Sequence, residues 1–295
     1  MFNPSAILPD CRGRFVPDNN PAMLWPMSRI RILTCTDLHQ SKLHYRSLAL
    51  SVMEQQPDAV ALVGDFLYGA PIGRTQFSTA ECVQLLADLD VKHLLFVRGN
   101  HEDVNWSEFV QAWPFERRPL TALYGSTHAI GPLTIMGFPC KVGSEFTWCH
   151  SLPQSGNVLT TDPKLSGRPC LTADTSSWMP GLMRRLGPAG RVIWLMHEPP
   201  VGEPLAKNEL FQPAWRTAVE HYSPSLVVSG HDHDTPLSHG RWWVKHRNST
   251  CVNVGQAEMD FHHCIIDFEF QAGDCLPTRI TVRAFPQGES FVVTA

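Results

Sequence analysis

Five short apolar runs in this chain each end in residues able to grip a metal ion. RILTCTDLH ends in Asp37 and His39, ALVGD in Asp65, LFVRGNHE in Asn100, His101 and Glu102, VIWLMH in His197, and LVVSGHDH in His231 and His233. Short apolar runs bounded by polar residues read as buried strands. In α/β sheets, ligands bind beyond the carboxyl ends of the strands. Five segments that deliver carboxylate, amide and imidazole groups to such an edge imply one shared site. These donors suit Mn, Fe or Zn better than Cu(I) or an iron–sulfur cluster. Asp37, His39, Asp65, Asn100, His197, His231 and His233 are more groups than one ion needs. With one of them bridging, they suit two divalent ions about 3.5–4 Å apart, an arrangement that activates water for hydrolysis. Strand alternation would send Asp37 and His39 to one face, and His231 and His233 likewise unless the backbone turns between them. Gly64, Gly99 and Gly230 each precede a donor, where a sharp turn or a close backbone approach would need glycine.

The elements that must position these groups fall into two sets. From Arg29, the strand-like RIRILTCTD, DAVALVGD and VKHLLFVRGN alternate with the helix-like HYRSLALSVMEQQ and TAECVQLLADL. That alternation predicts βαβ units and a parallel sheet. After Pro119, THAIGPLTIMGFP, RVIWLMHEPP, SLVVSGHDH, RWWVKHRN, STCVNVG, CIIDFEF and RITVRAF read as strands, with MPGLMRRLG and QPAWRTAVEHY as the best helices. A second, mixed or antiparallel sheet is predicted, packed on the first with helices on the outer faces. Residues 1–28, rich in Pro and Asn, read as an extended arm before a domain spanning 29–295. Residues from about 140 to 178 are rich in Ser, Thr, Gly and Pro without period. They read either as a loop over the site or as a surface insertion.

Composition narrows the partners. The 295 residues carry a formal net charge of −4. No basic face for nucleic acid or anionic lipid is implied. A small phosphorylated substrate fits, because bound metal supplies positive charge that the sequence sum omits. The 9 cysteines are scattered without a C-x-x-C pair, which predicts reduced thiols and a cytoplasmic setting. Neither a signal peptide nor a membrane span is expected. Oligomeric state is left open.

The ordered set D-L-H, G-D, G-N-H-E, H and G-H-D-H, spread over residues 30 to 260, resembles the calcineurin-like metallophosphoesterase superfamily, on its bacterial-type phosphodiesterase and phosphatase branch. The resemblance implies a four-layer α/β/β/α sandwich of two mixed sheets flanked by helices. It implies that Asp37, His39, Asp65 and His233 hold one ion, that Asp65 bridges, and that Asn100, His197 and His231 complete the second. His101 would be the catalytic histidine that meets the substrate, beside Asn100. The implied reaction is hydrolysis of a phosphoester by a hydroxide bridging the ions, with diesters favoured over monoesters. One departure stands out. Where protein phosphatases of the superfamily carry G-D-x-x-D-R-G, this chain has GDFLYGA, with Tyr68 and Gly69 in place of Asp and Arg. That argues against a phosphoprotein substrate, leaves open what orients His101, and makes Tyr68 a substrate-contact candidate. A catalytically silent metal-binding module and a dinuclear hydrolase of non-phosphate bonds remain as alternatives.

Other residues carry plainer expectations. Glu102 and Asp232 are expected to support ligands or face solvent, Asp58 to cap a turn, Arg98 to form a structural salt bridge, and Trp242–Trp243 to pack in the core. His262 or His263, and His150, are secondary candidates for lining the site. His44, His93, His128, His221, His239 and His246 are expected to lie away from it.

Overall fold

The computed structural model describes residues 28–67, 76–123, 125–138 and 175–293. All but Ser28 of the expected arm, Tyr68, His150 and nearly all of the expected insertion lie outside them.

Among the described residues, thirteen strands form two mixed sheets. The first holds β1 (Ser28–Cys35), β2 (Ala59–Val63), β3 (His93–Val97), β4 (Thr121–Ala122), β11 (His263–Phe270), β12 (Arg279–Phe285) and β13 (Ser290–Val293), in the order β13-β12-β11-β1-β2-β3-β4. The second holds β5 (Ser126–Ile130), β6 (Leu133–Phe138), β7 (Ile193–Met196), β8 (Leu226–Val228), β9 (Trp243–His246) and β10 (Ser249–Val252), in the order β5-β6-β7-β8-β10-β9. CIIDFEF and RITVRAF, now β11 and β12, were expected in the second sheet, and β13 was not foreseen. All three return instead to the first, where β11 pairs antiparallel with β1 from Ser28↔Phe270 to Thr34↔Cys264. Without that return, β1 would be an exposed edge of unpaired backbone groups.

Burial explains the sequence pattern of each strand. Ile30 and Ile32 of β1 face the layer between the sheets, with Ile193, Leu195, Leu226 and Phe268. Leu33 and Cys35 face outward onto α1 (Lys42–Gln55), α2 (Thr79–Asp88) and α3 (Glu102–Ala112). Strand β2 is AVALV, apolar at every position, because both of its faces are covered. On the far side, Trp194 and Met196 pack against α4 (Thr175–Leu186) and α5 (Pro213–Tyr222). A short helix, α6 (Thr235–His239), follows the G-H-D-H segment. The layers are therefore helix, sheet, sheet, helix, as expected. Helix α4 begins inside the stretch read as irregular, so residues 175–178 are helical.

Helices α1 and α2 start with serine caps. Ser78 caps α2 in a reciprocal box with Glu81, whose carboxylate accepts from the Ser78 backbone N–H at 2.7 Å. Cys35, Cys82, Cys251 and Cys264 are buried free thiols, and burial pushes those of Cys82 and Cys251 up to about 12. No described helix is long and apolar enough to cross a membrane.

Candidate metal centre

Strands β1, β2, β3, β7 and β8 all end at the same edge, and the residues just beyond them converge. The backbone does not simply run on as strand. Beyond β1, the Asp37 and His39 N–H groups donate to the Gly64 and Asp65 carbonyls, each at 2.9 Å. Asp37, His39, Asp65 and His231 all have positive φ, at 57°, 45°, 51° and 69°. Each such conformation costs on the order of 1–3 kcal/mol for a residue with a Cβ and persists only where the surroundings over-determine it. Strand alternation is therefore not what brings Asp37 and His39 together. Paired left-handed residues do so. At G-H-D-H the backbone turns, and the two histidines part: His233 joins Asp37 and His39, while His231 joins Asp65 and His197.

The donor atoms lie close together. His39 Nε2 is 3.1 Å from His233 Nε2, and His233 Nε2 is 3.2 Å from Asp37 Oδ1. His197 Nε2 lies 3.1 Å from Asp65 Oδ2, 3.2 Å from Asn100 Oδ1 and 4.0 Å from Asp37 Oδ1. His101 reaches the same cluster, with Nε2 3.8 Å from Asp65 Oδ2 and its ring edge-on to His39 at 5.1 Å. His101 also grips through its backbone, donating to Asp65 Oδ1 at 2.9 Å. That bond and the contact with His39 answer in part what orients this histidine.

The arrangement fits cations. Asp37 Oδ2 accepts from Thr36 Oγ1 at 2.7 Å and from His231 N at 3.1 Å. Its other oxygen, Oδ1, is buried with no hydrogen bond of good geometry, which normally costs about 1–3 kcal/mol. Two imidazole nitrogens at 3.1 Å likewise need a proton or a cation to hold them there. The Nδ1 of His197 faces the Val63 carbonyl at 3.0 Å, so Nδ1 carries a hydrogen, and Nε2 has a lone pair for the site only once the ring is neutral.

Charge tells the same story. Burial alone would raise the Asp37 carboxyl, but His233, His197 and His39 hold it well below the usual range. Asp65 is lowered despite burial, chiefly by His197. His197 rises to about 10, since Asp65 and Asp37 outweigh burial, whereas burial and its cationic neighbour push His231 down to about 4.

Three glycines make the convergence sterically feasible. A Cβ on Gly64 would stand 2.2 Å from His197 Nδ1, one on Gly99 2.1 Å from Asp65 Oδ1, and one on Gly230 1.9 Å from Thr36 Oγ1. Each glycine thus serves a donor segment from another strand, as well as the donor it precedes.

Glu102 has a larger part than expected. It is fully buried, and its carboxylate accepts from the backbone N–H of Asp65 and of Leu67, each at 2.9 Å, and from that of Gly99. It clasps the loop after β2 to the loop after β3. Burial, with Asp65 nearby, pushes its carboxyl up to about 7. Glu102→Ala would orphan three N–H groups at about 1–3 kcal/mol each. The expected result is a several-degree fall in Tm together with weakened metal binding, read by thermal denaturation with and without Mn(II). Asp232 is also a buried brace, accepting from the N–H groups of Lys207, Asp234 and Thr235.

The remaining expectations resolve simply. Asp58 accepts from Arg31 N at 2.9 Å, a turn role. Arg98 lies over the Trp106 ring at 5.3 Å. Trp242 is in the core. His263 is stacked between Phe261 and Phe285, and His262 bonds Gln287, so neither lines the site. His44 is buried against the Ala257 carbonyl, and His93 pairs with His128 at 3.0 Å.

A model of the calcineurin-like phosphoesterase family matches residues 30–235, more than half of the chain. The chain belongs to that family. No curated protein matches the phosphoesterase in sequence. Among solved structures, it resembles a dimetal phosphatase from Danio rerio (12% identity, TM-score 0.57, covering 90% of this chain and 98% of that one). It also resembles TT1561 of Thermus thermophilus (13% identity, TM-score 0.52, covering 90% of this chain and 98% of that one). At such identities these likenesses establish the phosphoesterase's fold, and its site must be argued from its own residues.

Proposed function

We propose that this phosphoesterase hydrolyses a small phosphorylated molecule, preferring a diester, at a centre of two divalent transition-metal ions. The observation that carries the reading is the facing of His39 and His233 nitrogens at 3.1 Å, with His233 Nε2 3.2 Å from the buried Asp37 Oδ1. Asp37, His39, His233 and Asp65 would hold one ion, and Asn100, His197, His231 and Asp65 the other. When bound, such ions supply Lewis-acid charge to phosphoryl oxygens and lower the pKa of water. The chain's own groups do the rest. Asn100 offers its amide N–H to a phosphoryl oxygen. His101, partly exposed at the start of α3, gives a proton to the departing oxygen. The backbone clasp by Glu102 keeps both loops from shifting as charge redistributes.

With Mn(II) added, bis-p-nitrophenyl phosphate is expected to turn over faster than p-nitrophenyl phosphate. The reverse order assigns a monoesterase, and turnover of neither by the metal-loaded protein contradicts the reading.

The charge states also predict how metal binding varies with pH. His197, raised to about 10, carries a proton at Nε2 in the metal-free protein at neutral pH. Binding an ion there releases that proton, so affinity rises with pH until about 10. His233 is also raised, by the Asp37 carboxylate, whereas His231, near 4, adds no proton above about pH 5. Mn(II) affinity, measured calorimetrically in buffers of different ionisation enthalpy, is expected to rise about tenfold per pH unit for each proton released. A flat profile between about pH 6 and 8 contradicts this.

A further inference from the structure

The segment that follows β10, Asn253–Gln256, contributes no donor to the centre, yet its amides hold the backbone of several donors. Asn253 is fully buried, and its Nδ2 faces the carbonyls of Leu205, Asp232 and Gly230 at 2.9, 3.0 and 3.1 Å. The last two belong to the peptides that lead into His233 and His231. Gln256 reaches further. Its Nε2 donates to the Thr36 carbonyl at 2.9 Å, the peptide that leads into Asp37. Its backbone N–H donates to the His233 carbonyl at 3.3 Å. Its Oε1 accepts from His262 N at 2.8 Å, which anchors the side chain next to the start of β11. Gly255 allows the approach, since a Cβ there would stand 2.4 Å from the His233 carbonyl oxygen.

We propose that Gln256 is a positioning residue for the ion held by Asp37, His39 and His233, an inference that rests on the two-ion reading above. Asp37 sits at φ 57°, a conformation that only a fixed peptide plane maintains. The Gln256 side chain pins that plane, and its backbone N–H holds the His233 carbonyl. Among the described residues, its hydrogen bonds reach neither Asp65, Asn100, His197 nor His231, the donors of the second ion. Outer groups that orient metal ligands are worth about 10- to 100-fold in metal affinity. Gln256 is therefore expected to govern one ion and spare the other.

The test is a titration of metal-free protein with Co(II) alone, followed by calorimetry and by the visible absorption of each bound ion. Wild type is expected to take two ions in resolvable steps. Gln256→Met is expected to weaken one step by about 10- to 100-fold and leave the other unchanged. Gln256→Glu keeps the acceptor for His262 N but loses the donor to Thr36, and the same selective loss is expected. It carries the test alone should Gln256→Met fail to fold. Ile280→Ala controls for loosening of the fold. Ile280 is fully buried in β12, paired with Phe268 at the end of the sheet remote from the centre. That variant is expected to lower Tm and keep both steps. Equal weakening of both steps in the Gln256 variants, or no weakening, overturns the inference while the two-ion reading stands. A wild-type protein that binds fewer than two ions removes both.

Discussion

Asp65→Asn is expected to reduce phosphoesterase turnover by about 100- to 1,000-fold, the range for removing one preorganised charge-stabilising group. Asp65 occupies the middle of the centre. Its Oδ2 is 3.1 Å from His197 Nε2 and 3.8 Å from His101 Nε2, and its Oδ1 receives the His101 N–H. Asparagine keeps the size and an oxygen for His101 but removes one of only two carboxylates among the proposed donors. Both ions are expected to bind more weakly, because the bridging position serves both. A second readout separates this from loss of fold. Asp65 is the strongest influence raising His197, after the opposing effect of burial. In metal-free Asp65→Asn, the His197 imidazole should titrate well below its present value of about 10 when followed by NMR. Full activity with two ions bound contradicts the bridging role. An unshifted His197 contradicts the electrostatic account.

His101→Gln is expected to lower kcat by about 100- to 10,000-fold, the usual worth of a general acid, while metal content stays at wild-type level. The size should depend on the leaving group. A nitrophenolate departs with little help, so bis-p-nitrophenyl phosphate should show the lower end of that range. A poorly departing alkoxide should show the upper end. The His101 side chain is about one-third exposed, unlike the buried His197, which suits a group that meets substrate. An equal loss for both leaving groups, or loss of an ion from the variant, would make His101 a structural or ligand residue instead.

Much of the centre was legible because strand ends are local. An apolar run followed by Asp, Asn or His states both the element and the chemistry, and all seven proposed donors do converge. Glycines before the donors were legible for the same reason, though the sequence could not say which foreign side chain each accommodates. Three kinds of information were not local. The return of β11–β13 to the first sheet depends on pairing across more than 200 residues, from Arg29 to Glu269. Helix α3 begins inside G-N-H-E without a side-chain cap, with His101 as its first flanking residue, so the usual start signal is missing. Glu102, Asn253 and Gln256 act on backbone groups of distant segments, and nothing in E, N or Q reveals which carbonyl or N–H it will meet. Left-handed conformations at Asp37, His39, Asp65 and His231 were equally hidden, since non-glycine residues rarely adopt them. The strain they hold is concentrated where donors must point inward, which is where a bound cation would repay it.

The centre is tested most directly by anomalous diffraction from crystals of the full chain grown with Mn(II). Two peaks are predicted, about 3.5–4 Å apart. One should contact Asp37, His39 and His233, the other Asn100, His197 and His231, with Asp65 between them. A single peak, peaks remote from these residues, or none under metal-replete conditions would contradict the account.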